Sequence, residues 1–296
     1  MSNPLELPED IIEQEVGAIC GRYRIEPEMA RRFLEQGFYR RPDLLGKILK
    51  RYPDEDITRL RDYKAVIKDV RKKIYYHLRQ YQSDREKSRE LREKLEQQIS
   101  ASADIKHIRQ ITDELLLTHI STKERADHYP VFYEKLSELI ARPRTILDIG
   151  CGIHPLSYPF EKEKGPDIYV ATDRDPDVID ILTTFAPCIK PARLIPLCAD
   201  IAGIKAADYL TDYAPFDIAF MLKLVPVLHR QHKEVLPLLA EVPARRILLT
   251  ASAESMTRKE IIMRREDKIL HRFMKMTGRD VMGSFRVGNE FGYLLQ

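Results

Sequence analysis

The stretch RTILDIGCGIHPLSYPFEKEKGPDIYVATDRD, residues 144–175, decides the fold of this chain. An apolar run, 145–149, ends in two glycines separated by a cysteine, and a second run, 168–172, ends in Asp173. Apolar runs of this kind are typical of parallel strands that are buried on both faces. A glycine turn lets a ligand approach the backbone because no Cβ atom intervenes. A carboxylate about 20 residues further on can accept both ribose hydroxyls. The stretch therefore predicts a nucleoside-binding βαβ unit that uses Gly150 and Asp173.

The glycine pattern differs from that of a dinucleotide site. Pro155 stands where the third glycine of GxGxxG would pack a helix under a pyrophosphate. Asp148 places a carboxylate beside the turn, which suits a cationic ligand such as S-adenosylmethionine, whose amino-acid end carries an ammonium group. The alternative is an ordinary βαβ crossover that binds no ligand.

Length and composition limit the classes of protein that fit. The 296 residues are enough for one large domain or two modest ones. No apolar run approaches the ~20 residues of a membrane span, and the acidic first 15 residues do not resemble a secretory leader. The four cysteines form no CxxC pair, so we expect no zinc or other metal site, no disulfide framework, and a reduced, cytoplasmic setting.

The first 105 residues predict an all-helical, basic domain, and residues 106–296 a separate catalytic domain. Between residues 40 and 96 the chain carries eighteen Lys and Arg against eleven Asp and Glu. The longest predicted helix, from Asp56 to about Tyr81, has apolar residues at helical spacing on one face and basic residues on the other. Such a face is either simply solvated or contacts RNA phosphates, and the interleaved tyrosines favour RNA as much as solvent.

Further strands are predicted at 193–199, 216–222 and 245–251, the first of them ending in Asp200. A basic helix, expected from about 257 to 277 and facing RNA phosphates, precedes two apolar runs that pair as an antiparallel hairpin across Gly288 and Asn289. The predicted fold is thus α/β: a class I methyltransferase sheet, Rossmann-like, with parallel strands and a C-terminal antiparallel hairpin, preceded by an all-helical domain.

With these pieces in place, the chain resembles the 16S ribosomal RNA guanine-N7 methyltransferases of the aminoglycoside-resistance type. Four stretches carry the resemblance, in the same order as in that family: 119–125 (HISTKER), 146–156 (ILDIGCGIHPL), 222–231 (LKLVPVLHRQ) and 288–290 (GNE). The first and third are fairly specific to the family, whereas the second alone indicates only a methyltransferase.

The resemblance implies S-adenosylmethionine as cofactor, ribosomal RNA in the 30S subunit as partner, and a monomer. The cofactor contacts that it implies are His119, Ile120, Ser121, Arg125, Gly150, Asp173, Asp200, Ile201, Leu222 and Gln231. Among these, Arg125 would fork onto the cofactor carboxylate, and Asp200 with Ile201 would read the adenine. One stretch departs from the family: residues 250–259 lack the proline and glycine of the loop expected over the target base.

No general base is predicted, because guanine N7 carries a free lone pair and loses no proton before attack. His154, His229 and His232 are expected to lie mostly on the surface or against substrate, since nothing in the sequence orients them. Cys188 is expected to be structural. Two alternatives stay open: a methyltransferase of another RNA or a small molecule, and a non-catalytic RNA-binding or assembly factor that keeps the fold.

Overall fold

The computed structural model describes residues 7–23, 25–80, 85–102, 104–140, 143–160, 165–201, 213–254 and 262–296, with the backbone alone at 76–80. The chain divides into two compact units, Met1–Gln82 and Ser83–Gln296. The predicted boundary near residue 105 differs from this division. The helices between 85 and 118 belong to the second unit because their apolar faces, with Leu91, Leu95 and Leu115, join the core beside the sheet.

The first unit is helical, as expected. Its elements are α1 (Glu9–Tyr23), α2 (Pro27–Tyr39), α3 (Pro42–Leu49), a 3-10 turn (Ile57–Arg59) and α4 (Arg61–Gln80). The helix predicted from Asp56 begins only at Arg61, because Asp56 caps the 3-10 turn through Thr58 N–H and Leu60 is extended. Helix α4 buries Val66, Val70 and Ile74 against the other helices.

Helices cover both faces of one sheet in the second unit. In chain order the elements are α5 (Arg85–Ser100), α6 (Ile105–Thr118), α7 (Ile120–Lys123), α8 (Tyr129–Leu139), β1 (Thr145–Ile149), β2 (Ile168–Asp173), α9 (Pro176–Phe185), β3 (Arg193–Cys198), β4 (Phe216–Met221), α10 (Leu224–Gln231), α11 (Leu236–Ala240), β5 (Ala244–Ser252), α12 (Met263–Thr277), β6 (Val281–Val287) and β7 (Glu290–Leu295). The seven strands follow the order β3-β2-β1-β4-β5-β7-β6. The predicted strands and hairpin are confirmed to within one residue at each end.

The strand directions place the site. Strands β1 to β5 pair in parallel, and β7 pairs antiparallel with both β5 and β6. The order reverses between β1 and β4, so a crevice opens there at the carboxyl ends of the strands. Side chains of β1 alternate between two cores: Ile146 packs with α5, α6, α8 and α9, whereas Leu147 and Ile149 pack with α10, α11 and α12. The helix predicted from residue 257 is described from Met263 onward.

Candidate functional site

The turn after β1 has the open backbone that the sequence predicts. Gly150 and Gly152 have φ angles of +63° and +51°, which L-residues with a Cβ rarely adopt. A Cβ at Gly150 would lie 2.8 Å from a methyl carbon of Leu224, whereas one at Gly152 would meet nothing within 4 Å. The backbone at Gly152 therefore borders open space that a ligand can enter.

Asp173 closes the same turn from the neighbouring strand. Its Oδ2 accepts a hydrogen bond from Gly152 N–H at 2.9 Å, and its Oδ1 accepts one from Asp175 N–H at 3.0 Å. Burial raises the pKa of Asp173, and the two backbone hydrogen bonds act in the opposite direction. Each carboxylate oxygen keeps a second lone pair, so the group can still accept ribose hydroxyls.

The other predicted residues of the sheet lie at the ends of strands β3 and β4. Asp200 is exposed just past β3, and Ile201 beside it is buried in the core that contains Leu147. Leu222 follows β4 and is half-buried. These residues share the carboxyl edge of the sheet with Gly150 and Asp173 because all four strands run in parallel. Gln231 is the last residue of the eight-residue α10, about 12 Å along that helix at 1.5 Å per residue.

His119, Ile120 and Ser121 form the junction between α6 and α7. His119 lines a cavity of about 280 Å³, with three arginines of α5 on one side and three aspartates at the start of α9 on the other (Arg85, Arg89, Arg92, Asp175, Asp177 and Asp180). Burial lowers the pKa of His119 to about 4, and Asp175 only partly opposes this. His119 is thus uncharged at neutral pH. Asp175 lines the same cavity, and its backbone N–H donates to Asp173, the residue predicted to bind the ribose.

Arg125 is committed to a buried carboxylate rather than held open for a ligand. Its Nε and Nη2 each donate to one oxygen of Glu290 at 2.9 Å, and both residues are 4% exposed. Burial disfavours both charges. Nevertheless, the positive charges of Arg125 and Lys223 hold the pKa of Glu290 at about 2, and Glu290 raises the pKa of Arg125. Three of the five guanidinium N–H donors are not used by this pair, so contact with a second anion is still chemically possible.

Lys223 extends this ion pair into a network. Its Nζ donates to Glu124 Oε2 at 2.7 Å and lies 3.6 Å from Glu290 Oε2. Its backbone is left-handed, with φ +58°, and its N–H donates to Thr250 Oγ1 at 3.0 Å. A left-handed non-glycine residue at the end of a parallel strand is a common mark of a functional site.

Of the four residues in this network, only Arg125 was predicted from the sequence to have a role. Glu124, Lys223 and Glu290 all fall inside the stretches 119–125, 222–231 and 288–290 that carried the family resemblance. Their position in those stretches was the one indication in the sequence that these residues matter. The sequence could not show that they contact one another, because Arg125 and Glu290 are 165 residues apart in the chain.

A second buried polar network lies beneath the glycine turn. Asp148 Oδ2 accepts hydrogen bonds from Tyr169 Oη and His154 Nδ1, both at 2.8 Å, and His154 Nε2 lies 3.0 Å from Tyr133 Oη. His154 is 2% exposed, so the expectation of a surface or substrate-facing histidine was wrong for this residue. The cause is Asp148, which provides a buried hydrogen-bond acceptor six residues away.

Asp148 Oδ1, in this network beneath the glycine turn, is buried and has no hydrogen-bond partner among the described residues. Leaving a buried polar atom unpaired costs about 1–3 kcal/mol. An unpaired carboxylate oxygen beside the turn fits a ligand that brings a hydrogen-bond donor, such as an ammonium group.

Two candidate chemistries find no support in the described residues. Across the described ranges, no group of three His, Cys, Asp or Glu side chains is arranged to hold a metal ion. Cys151 is buried, and its pKa is raised by that burial, so its thiol is a poor nucleophile. Residues 255–261, which include the second half of the altered stretch 250–259, lie outside the described residues.

The sheet order, the glycine turn and the acidic strand ends define a class I methyltransferase, the S-adenosylmethionine-dependent class. The solved structure of 16S rRNA methyltransferase RmtF in complex with S-adenosyl-L-homocysteine matches with a TM-score of 0.56 at 18% identity, covering 100% of this chain and 99% of that one. The 16S rRNA methylase ArmA matches with a TM-score of 0.53 at 25% identity, covering 69% of this chain and 96% of that one. Residues 64–280 match the family model FmrO, described as ribosomal RNA methyltransferase. The chain belongs to this family, and the expected resemblance is confirmed.

Curated relatives carry a more specific name. The 16S rRNA (guanine(1405)-N(7))-methyltransferase of Proteus mirabilis is 26% identical over 193 residues, 63% of this chain and 66% of that protein. The enzyme of the same name from Micromonospora rosea is 28% identical over 115 residues, 39% of each chain. The chain thus spans from about two fifths to about two thirds of the length of these relatives.

Proposed function

We propose that this protein transfers a methyl group from S-adenosylmethionine to N7 of a guanine in 16S ribosomal RNA. Family membership and the names of the relatives support the reaction. The observation in the chain itself that supports it best is the Gly152–Asp173 hydrogen bond at the carboxyl edge of the sheet. It joins an open glycine turn to a half-buried carboxylate, the pairing that a nucleoside cofactor requires.

The cofactor would lie across the carboxyl ends of β1 to β4. Asp173 would hold the ribose, Asp200 and Ile201 the adenine, and Gly150 and Leu222 would line the crevice, with His119, Ile120, Ser121 and Gln231 as the remaining proposed contacts. The unpaired acceptor at Asp148 Oδ1 fits an ammonium group. Arg125 would contribute N–H donors that its pair with Glu290 does not use.

The bound cofactor supplies a methyl group on a sulfonium, which a lone pair displaces in line. Guanine N7 carries that lone pair at neutral pH, so no residue of this chain has to remove a proton. The contribution of the chain is positioning and a fixed electrostatic environment. The network of Glu124, Lys223, Glu290 and Arg125 provides a rigid set of charges at the end of β4 and the start of β7.

The helical first unit is proposed to bind RNA. On α4, Arg61, Lys64, Lys68 and Lys72 are exposed. Part of the predicted basic face is neutralised within the unit, since Asp69 pairs with Arg41 and Lys73, and Glu15 pairs with Arg71. Arg61, Lys64 and Lys68 can meet phosphates, whose contacts dominate affinity for nucleic acid.

The proposal extends to a monomer acting on the 30S subunit in the cytoplasm, where its substrate is found. Among the described residues, none of the helices is both long and apolar enough to cross a membrane.

The deciding experiment is methylation of unmodified 30S subunits by the purified chain with isotope-labelled S-adenosylmethionine, followed by mass mapping of the rRNA. One N7-methylguanine in 16S rRNA is the expected result. Label in tRNA or a metabolite, but not in 30S subunits, would replace this function with methylation of another substrate. If calorimetry detected no cofactor binding while binding to 30S subunits persisted, the non-catalytic assembly factor would be favoured instead.

A further inference from the structure

The outward face of α12 carries a stripe of four cations that form no ion pair with the acidic side chains that the structure describes. Arg264, Lys268, Arg272 and Lys275 are all exposed. At 100° per residue they fall within about 80° of the helix circumference, and the stripe runs about 16 Å at 1.5 Å per residue. Within the described ranges, none of the four forms an ion pair with an Asp or Glu.

The other basic residues of this region serve the fold. Arg230 and Arg265 both bind the buried carboxylate of Glu266, at 2.8 Å and 2.9 Å. Arg279 donates to the backbone carbonyls of Ala244 and Arg245. Some cations of this region therefore hold α12 in place, whereas the four of the stripe form no ion pair in the part of the chain that the structure describes.

The electrostatic field around the stripe is positive, like the stripe itself. Burial lowers the pKa of His229 on α10, and the positive charges of Lys233, Arg272 and Arg230 lower it further, with Glu266 opposing. Like charges one helical turn apart destabilise a helix by a few tenths of a kcal/mol each. By contrast, α5 alternates Arg and Lys with Glu along its exposed face. An anionic partner would remove this repulsion.

The helix begins at the edge of the sheet where the cofactor is proposed to bind. Ile262 N–H donates to Ala253 O at 2.8 Å, which fixes the start of α12 just past the carboxyl end of β5. From Arg264 to Lys275 the stripe then runs away from that edge. A polyanion whose target base enters at the edge would pass along the stripe.

We infer that the α12 stripe is a docking surface for the phosphate backbone of the RNA substrate, close to the modified base. The inference rests on the proposed function for the identity of the RNA. The length of the stripe matches about four or five nucleotides of one strand of a duplex, at ~3.4 Å per nucleotide. The spacing of the four cations is that of a backbone contact and carries no base specificity.

The test compares the full-length protein with the variant Lys268→Glu plus Arg272→Glu. A matched control, Lys94→Glu plus Lys106→Glu, makes the same change in net charge at exposed positions of α5 and α6. Binding to unmodified 30S subunits and to protein-free 16S rRNA is measured between 50 and 300 mM KCl. Calorimetry with S-adenosyl-L-homocysteine and thermal unfolding by circular dichroism report on the cofactor site and on folding.

Loss of two phosphate contacts should lower the slope of log K against log salt by about 1.4–1.8. It should also weaken binding at 0.1 M salt by about 25- to 60-fold, with cofactor affinity unchanged and the control close to wild type. A slope equal to that of wild type would overturn the inference, as would equal weakening by the control. Weaker 30S binding at an unchanged slope would point to a ribosomal protein instead and would also overturn it.

The two proposals fail separately. If the wild type methylates 30S subunits and the stripe variant does so with the same affinity and slope, the stripe is refuted and the function stands. If the wild type methylates no ribosomal RNA but binds an RNA with a slope that the stripe variant lowers, the docking surface stands and the proposed substrate is refuted.

Discussion

Replacing Glu290 by glutamine tests the buried ion pair most directly. The change keeps the shape of the side chain but leaves Arg125, 4% exposed, without its counter-charge. The pKa of Glu290 is about 2, against 4.5 for an unperturbed glutamate. At ~1.4 kcal/mol per pKa unit, this difference corresponds to about 3 kcal/mol of folding stability. Removing one partner of a buried ion pair generally costs about 3–5 kcal/mol, which is the same magnitude.

The assay is urea unfolding at pH 7, followed by circular dichroism because the chain contains no tryptophan. A matched control is Glu138→Gln, which breaks an exposed pair with Lys135 at a similar distance, 2.7 Å, and should cost less than about 1 kcal/mol. The double variant Arg125→Met plus Glu290→Gln removes both charges and should recover much of the loss.

The pH dependence has a definite sign. Because the pKa of Glu290 is depressed in the folded state, its contribution is complete above about pH 4.5 and is lost as the pH falls towards 2. The stability difference between wild type and Glu290→Gln should therefore shrink over that range. A Glu290→Gln variant within about 0.5 kcal/mol of wild type at pH 7 would refute the reasoning, since that is the scale of an ordinary surface substitution.

Three further variants test the other parts of the molecule. Asp173→Ala should abolish cofactor binding in calorimetry while RNA affinity stays nearly intact, and unchanged cofactor affinity would refute the site. Gly150→Ala should lower the unfolding free energy by more than ~1 kcal/mol, because the φ of +63° is unfavourable for alanine and the new Cβ would lie 2.8 Å from Leu224; a variant as stable as wild type would show that the turn relaxes. Lys64→Glu with Lys68→Glu, both at exposed positions of α4, should weaken 30S binding and flatten its salt dependence, and an unchanged slope would identify that face of α4 as merely solvated.

Most of the fold was determined by local sequence. Thr145–Ile149 and Ile168–Asp173 are apolar runs because a parallel strand is covered on both faces. The glycines after β1 and between β6 and β7 mark turns for the same local reason, a positive φ. Three of the four family motifs lie at strand ends, whereas 119–125 lies between helices α6 and α8.

Only the tertiary structure decided which charges meet. Arg125 and Glu290 lie 165 residues apart and form a bidentate pair because the C-terminal hairpin folds back beside the sheet. His154 looked like a surface residue, yet it is buried on Asp148 because the turn directs both side chains into one core. The first unit ends at residue 82 and not at the predicted 105, because α5 and α6 pack into the core beside the sheet. Sequence patterns record the environment of a single element, whereas such pairings depend on where distant elements come together.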